Sequence, residues 1–300
     1  MKISVLLCTY DRKTALLRTL DALLAQDYPA AGLDLLISDD AGTDDTPAAV
    51  ASREREFLAK GYRSLRFVRQ PENRGISYGR RYVTERRRPD SEAVLYLDDD
   101  VVMDPGTLSG LAACLAGNKA AGAAGPRLVY VSDPSRTAHC ANFVGRWSGR
   151  YTEADPDGTT ECDWLNSSCL LVRAACLSQA GWEGAEFITA HEEVDFCLQL
   201  RNAGWKLLYC PSLKAAHDIA VGLPCRRDRL YYIYRNKLLV FRRNFPLLRR
   251  LAAFAAAVLL GLPKHLLESL RFNGGFDWRE MKLIFKAVAD GLAGRGGRLQ

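Results

Sequence analysis

Residues 93–100 read AVLYLDDD, an apolar run that ends in three consecutive carboxylates, Asp98, Asp99 and Asp100. A short apolar run of this kind is typical of a buried strand. Three adjacent carboxylates repel one another, and burying even part of them is costly unless a cation compensates for their charge. The stretch therefore predicts a strand of a covered sheet with a divalent metal at its tip. A solvated acidic turn is the alternative, but such turns are less common directly after a buried strand.

Three apolar runs of the same kind precede this one, at Ile3–Cys8, Asp34–Ser38 and Leu65–Val68. Segments with helical spacing lie between the four runs, at Thr14–Gln26, Thr46–Lys60 and Ile76–Arg88. Strands that alternate with helices predict βαβ units around a parallel sheet. Because these strands are nearly continuous apolar runs, we expect helices on both faces of the sheet. The predicted fold class is α/β, with a mixed, mainly parallel sheet flanked by helices.

The pattern after residue 100 is less regular. We predict a helix at Pro105–Ala116, a strand at Leu128–Val131, a polar and loop-rich stretch at Ser132–Asp163, a regular segment at Trp164–Val172, a helix at Glu192–Asn202 and a strand at Trp205–Cys210. We place the end of the main domain at residue 220. Residues 221–300 then form a basic, mostly helical C-terminal extension.

The composition and the distribution of charge narrow the class of protein. A chain of 300 residues with 48% hydrophobic and 25% charged residues can build a core, which excludes a largely disordered protein. The formal net charge of +6 is unevenly distributed along the chain. Residues 1–225 have 25 basic and 30 acidic side chains and are acidic overall, whereas residues 226–300 have 16 basic and 5 acidic side chains and are strongly basic. The positive net charge alone suggests nucleic acid as the partner, but the acidic main domain argues against it.

Three features indicate a cytoplasmic protein. The nine cysteines include no CxxC pair and no regular spacing, which fits free thiols in a reducing compartment better than a disulfide framework or a zinc site. The N-terminal apolar run is too short for a signal-peptide core. The longest uncharged apolar run, Leu251–Pro263, is shorter than the roughly 20 residues that a membrane-spanning helix needs.

Polar residues follow the first two predicted strands. Thr9, Tyr10 and Asp11 come after the first strand, and Asp39 and Asp40 come after the second. Ligands of open α/β sheets bind at the carboxyl ends of the strands. The carboxylates of Asp39 and Asp40 can accept hydrogen bonds from a base or a ribose there, whereas the acids that follow them are better explained as a turn before the next helix.

The chemistry of the third cluster suits a hard cation. Oxygen ligands at alternating positions, as in Asp98 and Asp100, fit Mg²⁺ or Mn²⁺, which takes the rest of its shell from substrate phosphates and water. His217 follows the last predicted strand by a short loop. A lone histidine is more often structural than a ligand, so the residues alone do not assign it a role.

Acids also open the predicted helix at residues 192–202. Glu192 and Asp195 lie on one face of that helix and Glu193 on an adjacent one. The helix dipole favours acids in a first turn, so part of this cluster is explained by capping alone. One of the three can serve as a general base and another as its structural partner.

A short loop that contains Gly75 precedes the helix that carries Arg80. Gly75 lets the backbone approach a ligand closely, and a helix N-terminus attracts phosphate. Arg80, one turn into the helix, is within reach of a diphosphate. The rest of the basic run after it is explained by a solvated helix face.

Taken together, these residues resemble the family 2 glycosyltransferases, which are inverting enzymes with the GT-A nucleotide-diphospho-sugar transferase fold. The resemblance covers about the first 220 residues and rests on five motifs in the family's order, at Val5–Arg12, Leu36–Thr46, Asn73–Gly75, Leu97–Asp100 and Glu192–Leu198. It implies a hexosyl- or deoxyhexosyltransferase that uses a nucleotide-diphospho-sugar and a divalent metal, Mn²⁺ or Mg²⁺.

The resemblance also implies roles for individual residues. The metal ligands it implies are Asp98 and Asp100 of the D-x-D motif, completed by His217. The residues it implies for the nucleotide-sugar are Thr9, Tyr10, Asp11, Asp39, Asp40, Asn73, Gly75, Arg80, Asp98 and Asp99. The first choice for the catalytic base is Glu193, but Glu stands where the family has Asp, so the assignment stays open among Glu192, Glu193 and Asp195.

The acceptor side is implied by two further segments. The loop with Trp164, Asn166 and Ser167 resembles the family's acceptor loop, although Asn166 replaces a frequent glycine. The segment Tyr231–Lys237 recurs in bacterial members that build polysaccharide or lipid-linked sugars of the cell envelope. We therefore expect a glycan or lipid-linked acceptor.

The C-terminal extension allows two interpretations. Arginines at positions 242, 243, 249 and 250 precede the apolar run Leu251–Pro263, and Lys264 and His265 follow it. This pattern fits an interfacial helix on anionic lipid at the inner membrane face. A helix packed on the core or on another subunit of an oligomer fits equally well.

Two other functions compete with sugar transfer. A nucleotidyltransferase also uses acids at strand tips and a divalent ion, but it normally has a Gly-rich basic loop after the first strand, which residues 9–12 lack. A catalytically silent nucleotide-sugar-binding subunit is the second alternative. The complete set of acids argues against it.

Overall fold

The computed structural model describes residues 1–182, 186–219, 227–261, 263 and 278–299. The strands are β1 (Ile3–Thr9), β2 (Leu33–Asp39), β3 (Leu65–Arg69), β4 (Ala93–Asp98), β5 (Val101–Met103), β6 (Ala121–Tyr130), β7 (Asp133–His139), β8 (Ala141–Val144), β9 (Tyr151–Ala154), β10 (Thr160–Cys162), β11 (Cys169–Arg173) and β12 (Lys206–His217). The α-helices are α1 (Lys13–Leu24), α2 (Thr46–Lys60), α3 (Ile76–Glu85), α4 (Thr107–Gly117), α5 (Glu192–Asn202), α6 (Arg227–Asn244), α7 (Leu247–Ala256) and α8 (Trp278–Ala293).

One mixed sheet organises the main domain. Its strand order is β10-β12-β6-β11-β4-β1-β2-β3, with β5 paired to β12 and β7 paired to β6. The four strands β4-β1-β2-β3 are parallel, which confirms the predicted βαβ units. All seven residues of β2 are buried, because helices cover both faces of the sheet.

Alternate residues of the central strand enter different cores. Ile3, Val5 and Leu7 of β1 belong to the core on one face, with α1, α2 and α4. Leu6 belongs to the core on the other face, with α5 and Trp182. This period of two holds the strand in register, since a slip of one residue exchanges the two faces.

The predictions for residues 128–163 were partly wrong. Strand β6 begins at Ala121, seven residues before the predicted start, and the stretch predicted as loops contains β7, β8, β9 and β10. The first four residues of β7 are exposed, and β9 is mostly exposed. Exposed strands lack the apolar residues on which the prediction depends, so the sequence does not reveal them.

Strand β12 also continues further than predicted. It runs to His217, and its pairing with β6 shifts register between Cys210 and Lys214. Pro211 lies in this irregular part and interrupts the apolar pattern, so the predicted strand ended at Cys210. His217 is therefore the last residue of a strand, paired with Val101 of β5, and not part of a loop.

The C-terminal helices pack on the main domain. Phe187 and Val194 share a core with Val240 and Phe241 of α6 and with Ala253 of α7. Helix α6 also packs along α8. The predicted boundary at residue 220 lies outside the described residues.

The predicted interfacial run begins inside α7. It continues through a π-helical turn, Ala257–Gly261, whereas Lys264 and His265 lie outside the described residues. Within the part of the chain that the structure describes, no helix combines the length and the apolar composition needed to cross a membrane.

Candidate active site

A cleft of about 450 Å³ lies at the carboxyl ends of β1 and β4, beside the start of α5. Most of the site residues predicted from the sequence line it. They are Thr9, Tyr10, Asp40, Asn73, Gly75, Arg80, Asp98, Asp99, Asp100, Glu192 and His217. The parallel register causes this convergence, since Cys8 of β1 lies opposite Asp98 of β4, and the polar residues after both strands share one edge.

Three side chains in the cleft form a group with metal-ligand chemistry. Ligand atoms of Asp98, Asp100 and His217 all lie within 4.8 Å of one another. The carboxylates follow β4 directly, and the antiparallel pairing of β5 with β12 carries the histidine to them. Two carboxylates and an imidazole at this spacing can hold a divalent cation.

The atoms of this group have unused ligand capacity. Asp100 Oδ1 lies 3.3 Å from His217 Nε2, and neither it nor His217 Nδ1 has a geometrically sound hydrogen bond among the described residues, although both are buried. Burial acts to raise the pKa of Asp100, but the contact with His217 and the charge of Arg12 outweigh it, so the pKa is lowered. The carboxylate is thus ionised and ready to bind a cation, and the residues present fit the predicted metal.

Arg12 neutralises part of the acid cluster, a contact that the sequence did not predict. Its guanidinium lies 2.6 Å from Asp100 Oδ2 and 3.2 Å from Asp99 Oδ1. Asp99 also accepts a hydrogen bond of 2.7 Å from the Thr9 hydroxyl. Burial raises the pKa of Asp99 to about 7, against the opposing effect of Arg12. Asp99 therefore joins the tips of β1 and β4.

Arg80 is buried between two acids of the cleft. It is 4% exposed, and its guanidinium lies 2.8 Å from Asp98 Oδ1 and 3.3 Å from Glu192 Oε1. The guanidinium also lies over the Trp182 ring, 4.9 Å from its centroid. These contacts engage the side chain that was expected to reach a diphosphate, and they join the metal-ligand group to the start of α5.

A second unpredicted contact fixes the orientation of Asp98. The Ser168 hydroxyl donates to Asp98 Oδ2 over 2.7 Å. Ser168 precedes β11, which pairs antiparallel with β4 so that Cys169 lies opposite Leu97. No local pattern signals this pairing between segments 70 residues apart.

The loop before α3 forms one wall of the cleft. The carboxylate of Asp40 accepts backbone hydrogen bonds from Arg74 (3.1 Å) and Gly75 (3.3 Å), and burial raises its pKa. Asn73 accepts a hydrogen bond from Arg298 near the C-terminus.

The predicted Asp11 and Asp39 do not line the cleft. They accept backbone hydrogen bonds from residues 42–44 and hold the turn after β2.

Gly75 is required by its conformation and by its surroundings. Its φ is +87°, and a Cβ at this position would lie 2.5 Å from the carbonyl oxygen of Ile188. We expect Gly75→Ala to lower the free energy of unfolding by about 1–3 kcal/mol, because both the strained φ and the clash oppose the methyl group.

Urea unfolding measures this effect, and Gly158→Ala is the matched control. A Cβ at Gly158 would meet no atom within 4 Å, and its φ is not in the left-handed region. Equal unfolding free energies for the two variants would contradict the close approach of Gly75 to Ile188.

The three acids at the start of α5 have different environments. Asp195 is 2% exposed and is held by Asn244 (2.6 Å), Gln199 (2.8 Å) and Arg243 (3.2 Å). Glu192 pairs with Arg80 through Oε1, and its buried Oε2 has no hydrogen bond to any residue that the structure describes. Glu193 is half-buried. Burial raises its pKa, and the charge of Glu192 raises it further.

The predicted acceptor residues lie outside this cleft. The Trp164 ring packs 5.9 Å from the Tyr151 ring, and its buried Nε1 has no hydrogen-bond partner among the described residues. Asn166 Oδ1 accepts the backbone N–H of Ser168 over 2.8 Å. Ser167 is buried.

The chain has the fold of solved GT-A glycosyltransferases. The chain is similar to the mannosyltransferase PcManGT from Pyrobaculum calidifontis, solved with GDP-Man and Mn²⁺ (TM-score 0.60, 16% identity, 97% of this chain and 86% of that one). It is also similar to S. aureus TarS 1-349, solved with UDP-GlcNAc (TM-score 0.66, 18% identity, 98% of this chain and 81% of that one).

The chain belongs to glycosyl transferase family 2, whose model matches residues 4–173. Its relatives include the N-acetylglucosaminyl-diphospho-decaprenol L-rhamnosyltransferase of Mycobacterium tuberculosis. The two are 27% identical over 245 residues, which cover 72% of this chain and 76% of the relative. The family and the α/β fold predicted from the sequence are thereby confirmed, and the protein is a glycosyltransferase.

Proposed function

We propose that this glycosyltransferase moves a sugar from a nucleotide-diphospho-sugar to an acceptor hydroxyl with inversion, and that it depends on a divalent metal. One observation carries the proposal. The cleft brings a metal-ligand group, Asp98, Asp100 and His217, together with Glu192, the first of the acids that open α5. A leaving diphosphate and an acceptor hydroxyl need these two kinds of groups on opposite sides of one sugar.

The metal is assigned to Asp98, Asp100 and His217, with Mn²⁺ or Mg²⁺ as the ion. A buried oxygen of Asp100 and a buried nitrogen of His217, which lack hydrogen bonds within the described part of the chain, support this assignment. When bound, such an ion acts as a Lewis acid that stabilises the charge of the leaving diphosphate. Ser168 and Arg80 keep the carboxylate of Asp98 oriented toward the same group.

The donor nucleotide is assigned to the part of the cleft between Thr9, Tyr10 and Asp40. Asp40 is buried at the tip of β2 and presents its carboxylate beside the loop with Asn73 and Gly75. The neighbouring structures solved with GDP-Man and UDP-GlcNAc support a nucleotide-sugar here. Asp11 and Asp39 act indirectly, by holding the turn behind the pocket.

The catalytic base is assigned to Glu193. The carboxylate of Asp195 is occupied by three partners, and that of Glu192 is paired with Arg80. No hydrogen bond or ion pair from another described residue engages the Glu193 side chain, and its raised pKa suits a group that takes up a proton. Attack by the deprotonated acceptor opposite the leaving group inverts the anomeric centre.

The acceptor is assigned to the class of glycans and lipid-linked sugars. The name of the mycobacterial relative describes a transfer to a sugar on a diphospho-polyprenol. Trp164, Asn166 and Ser167 precede β11, and the Trp164 ring packs beside Tyr151. An acceptor of this class places the protein at the inner face of a membrane.

A screen of nucleotide-diphospho-sugars by thermal shift, with and without Mn²⁺, tests the donor and the metal together. Donors that stabilise the protein only with Mn²⁺ then enter a transfer assay that resolves the anomeric configuration of the product. Retention of configuration would contradict the proposed mechanism, and stabilisation independent of Mn²⁺ would contradict the metal.

We expect the turnover number at saturating donor and metal to rise with pH. Burial and the charge of Glu192 raise the pKa of Glu193, so the carboxyl is protonated at low pH and activity is lost as the pH falls through that raised pKa. The substitution Glu192→Gln removes one of the two causes of the raised pKa of Glu193, the charge of Glu192. Its ascending limb, measured as kcat against pH, therefore lies at lower pH than that of the wild type. An unmoved limb would contradict Glu193 as the base.

A further inference from the structure

A second surface combines exposed apolar side chains with arginines, and none of its residues lines the cleft. It consists of the turn between β8 and β9 together with α7 and the π-helical turn that follows. Leu248, Leu251 and Leu259 are spaced by three and eight residues and are 72%, 53% and 69% exposed. Ala253, two residues after Leu251, is fully buried. One face of this segment is therefore packed on the core, while the opposite face presents leucine to solvent.

The turn after β8 adds a tryptophan to this face. Trp147 is 58% exposed, and the guanidinium of Arg249 lies 5.8 Å from its ring centroid. Gly149 allows this position, because its φ of +60° and its missing Cβ let the turn approach the Phe241 ring of α6. Two segments about 100 residues apart thus form one surface, which we name the hairpin–α7 surface.

The charge of this surface is positive and largely uncompensated. Arg146 and Arg249 line a cavity of about 450 Å³ between the hairpin and α7, and neither forms an ion pair with any residue that the structure describes. Asp163, which also lines the cavity, is paired with Arg201 at 3.2 Å. The sequence from residue 229 to residue 267 contains eight Lys and Arg residues and no acid.

We propose that the hairpin–α7 surface docks on an anionic lipid bilayer. Trp147 and the leucines enter the boundary between head groups and acyl chains, where an amphipathic ring and aliphatic side chains are both favoured. Arg146 and Arg249 bind head-group phosphates, because their guanidinium groups form no ion pair with a described residue and are opposite in charge to the phosphates. The inference rests on the proposed action at a membrane face and names the surface responsible.

The test uses the full chain and co-sedimentation with phosphatidylcholine vesicles, with and without phosphatidylglycerol, at low and high salt. Three variants are compared: Arg146→Gln with Arg249→Gln, Trp147→Gln with Leu248→Gln, and Leu58→Gln as the control. Leu58 is 48% exposed on α2, so its substitution removes exposed apolar area elsewhere on the molecule.

Wild type is expected to bind the anionic vesicles and to release them at high salt. The double arginine variant is expected to bind them roughly 30-fold more weakly, because it lacks two positive charges that each favour binding near the membrane. The Trp147→Gln, Leu248→Gln variant should lose binding already at low salt, where wild type binds, and Leu58→Gln should match wild type. Unchanged urea midpoints show that the variants are folded.

Equal vesicle binding by all variants, or an equal loss in the Leu58→Gln control, would overturn the inference. So would light scattering that shows a wild-type dimer converted to a monomer by Trp147→Gln with Leu248→Gln, because the surface would then bind a second copy. Transfer to a water-soluble acceptor separates this inference from the proposed function. If the wild type binds vesicles but transfers no sugar to the water-soluble acceptor, the proposed function is contradicted and the docking surface is not.

Discussion

Asp100→Asn is expected to abolish metal-dependent sugar transfer. Asp100 contributes the buried oxygen that lies 3.3 Å from His217 Nε2, and the amide replaces a full negative charge with a neutral group that binds a hard cation poorly. Loss of a metal that stabilises the leaving diphosphate costs several kcal/mol in the transition state, so kcat/KM should fall by about 10²–10³-fold or more.

Binding of Mn²⁺, measured by calorimetry without donor, is the direct readout of this prediction. Asp100→Asn should remove binding, whereas Asp133→Asn, an exposed acid of β7, should retain it. The amide is close in size to the carboxylate, and the variant retains a hydrogen-bond acceptor for Arg12, so the fold is expected to persist. Wild-type Mn²⁺ affinity in Asp100→Asn would exclude this group of residues as the metal site.

Glu193→Gln is expected to lower turnover far more than donor binding. A positioned general base contributes about 10²–10⁴-fold to the rate, and a glutamine cannot accept the proton of the acceptor hydroxyl. Glu193 does not line the cleft assigned to the nucleotide, so the donor dissociation constant should remain close to that of the wild type. Single-turnover rates and donor titration measure the two quantities separately.

Glu192→Gln and Asp195→Asn are the comparisons that make this test specific. Glu192→Gln keeps an oxygen for Arg80 and is expected to lower turnover less than Glu193→Gln. Asp195→Asn weakens the contacts with Asn244 and Arg243 and is expected to lower stability more than any change in the chemical step. If Glu193→Gln retains near wild-type turnover, the base is one of the other two acids.

The predictable part of the site is the part that lies directly after buried strands. Strands β1 and β4 were predicted to within one residue at their ends, and Asp98 to Asp100 follow from the same apolar run. The signal is strong because a strand covered on both faces must be apolar at nearly every position. The first residue of α5 was predicted correctly too, since acids and apolar residues share its first turns.

The unpredicted contacts depend on pairings between remote segments. Arg12 reaches Asp100 across the edge of the sheet, and Ser168 reaches Asp98 through the antiparallel β11. Strand β8 has only four residues and β9 is mostly exposed, so neither produces an apolar pattern that would have predicted Trp147 beside Arg249. These contacts are decided by the register of strands, which local periodicity does not encode.

The amino-acid sequence alone was sufficient for the α/β fold, the family and the identity of the acids at the strand tips, because burial and charge repulsion constrain contiguous residues. Tertiary structure decided which acids remain available. Asn244, from a helix 49 residues further along the chain, occupies Asp195, and Arg80 occupies Glu192. Glu193 is thus distinguished from its neighbours by contacts between distant segments, since a carboxylate's pKa and reactivity depend on the groups packed around it.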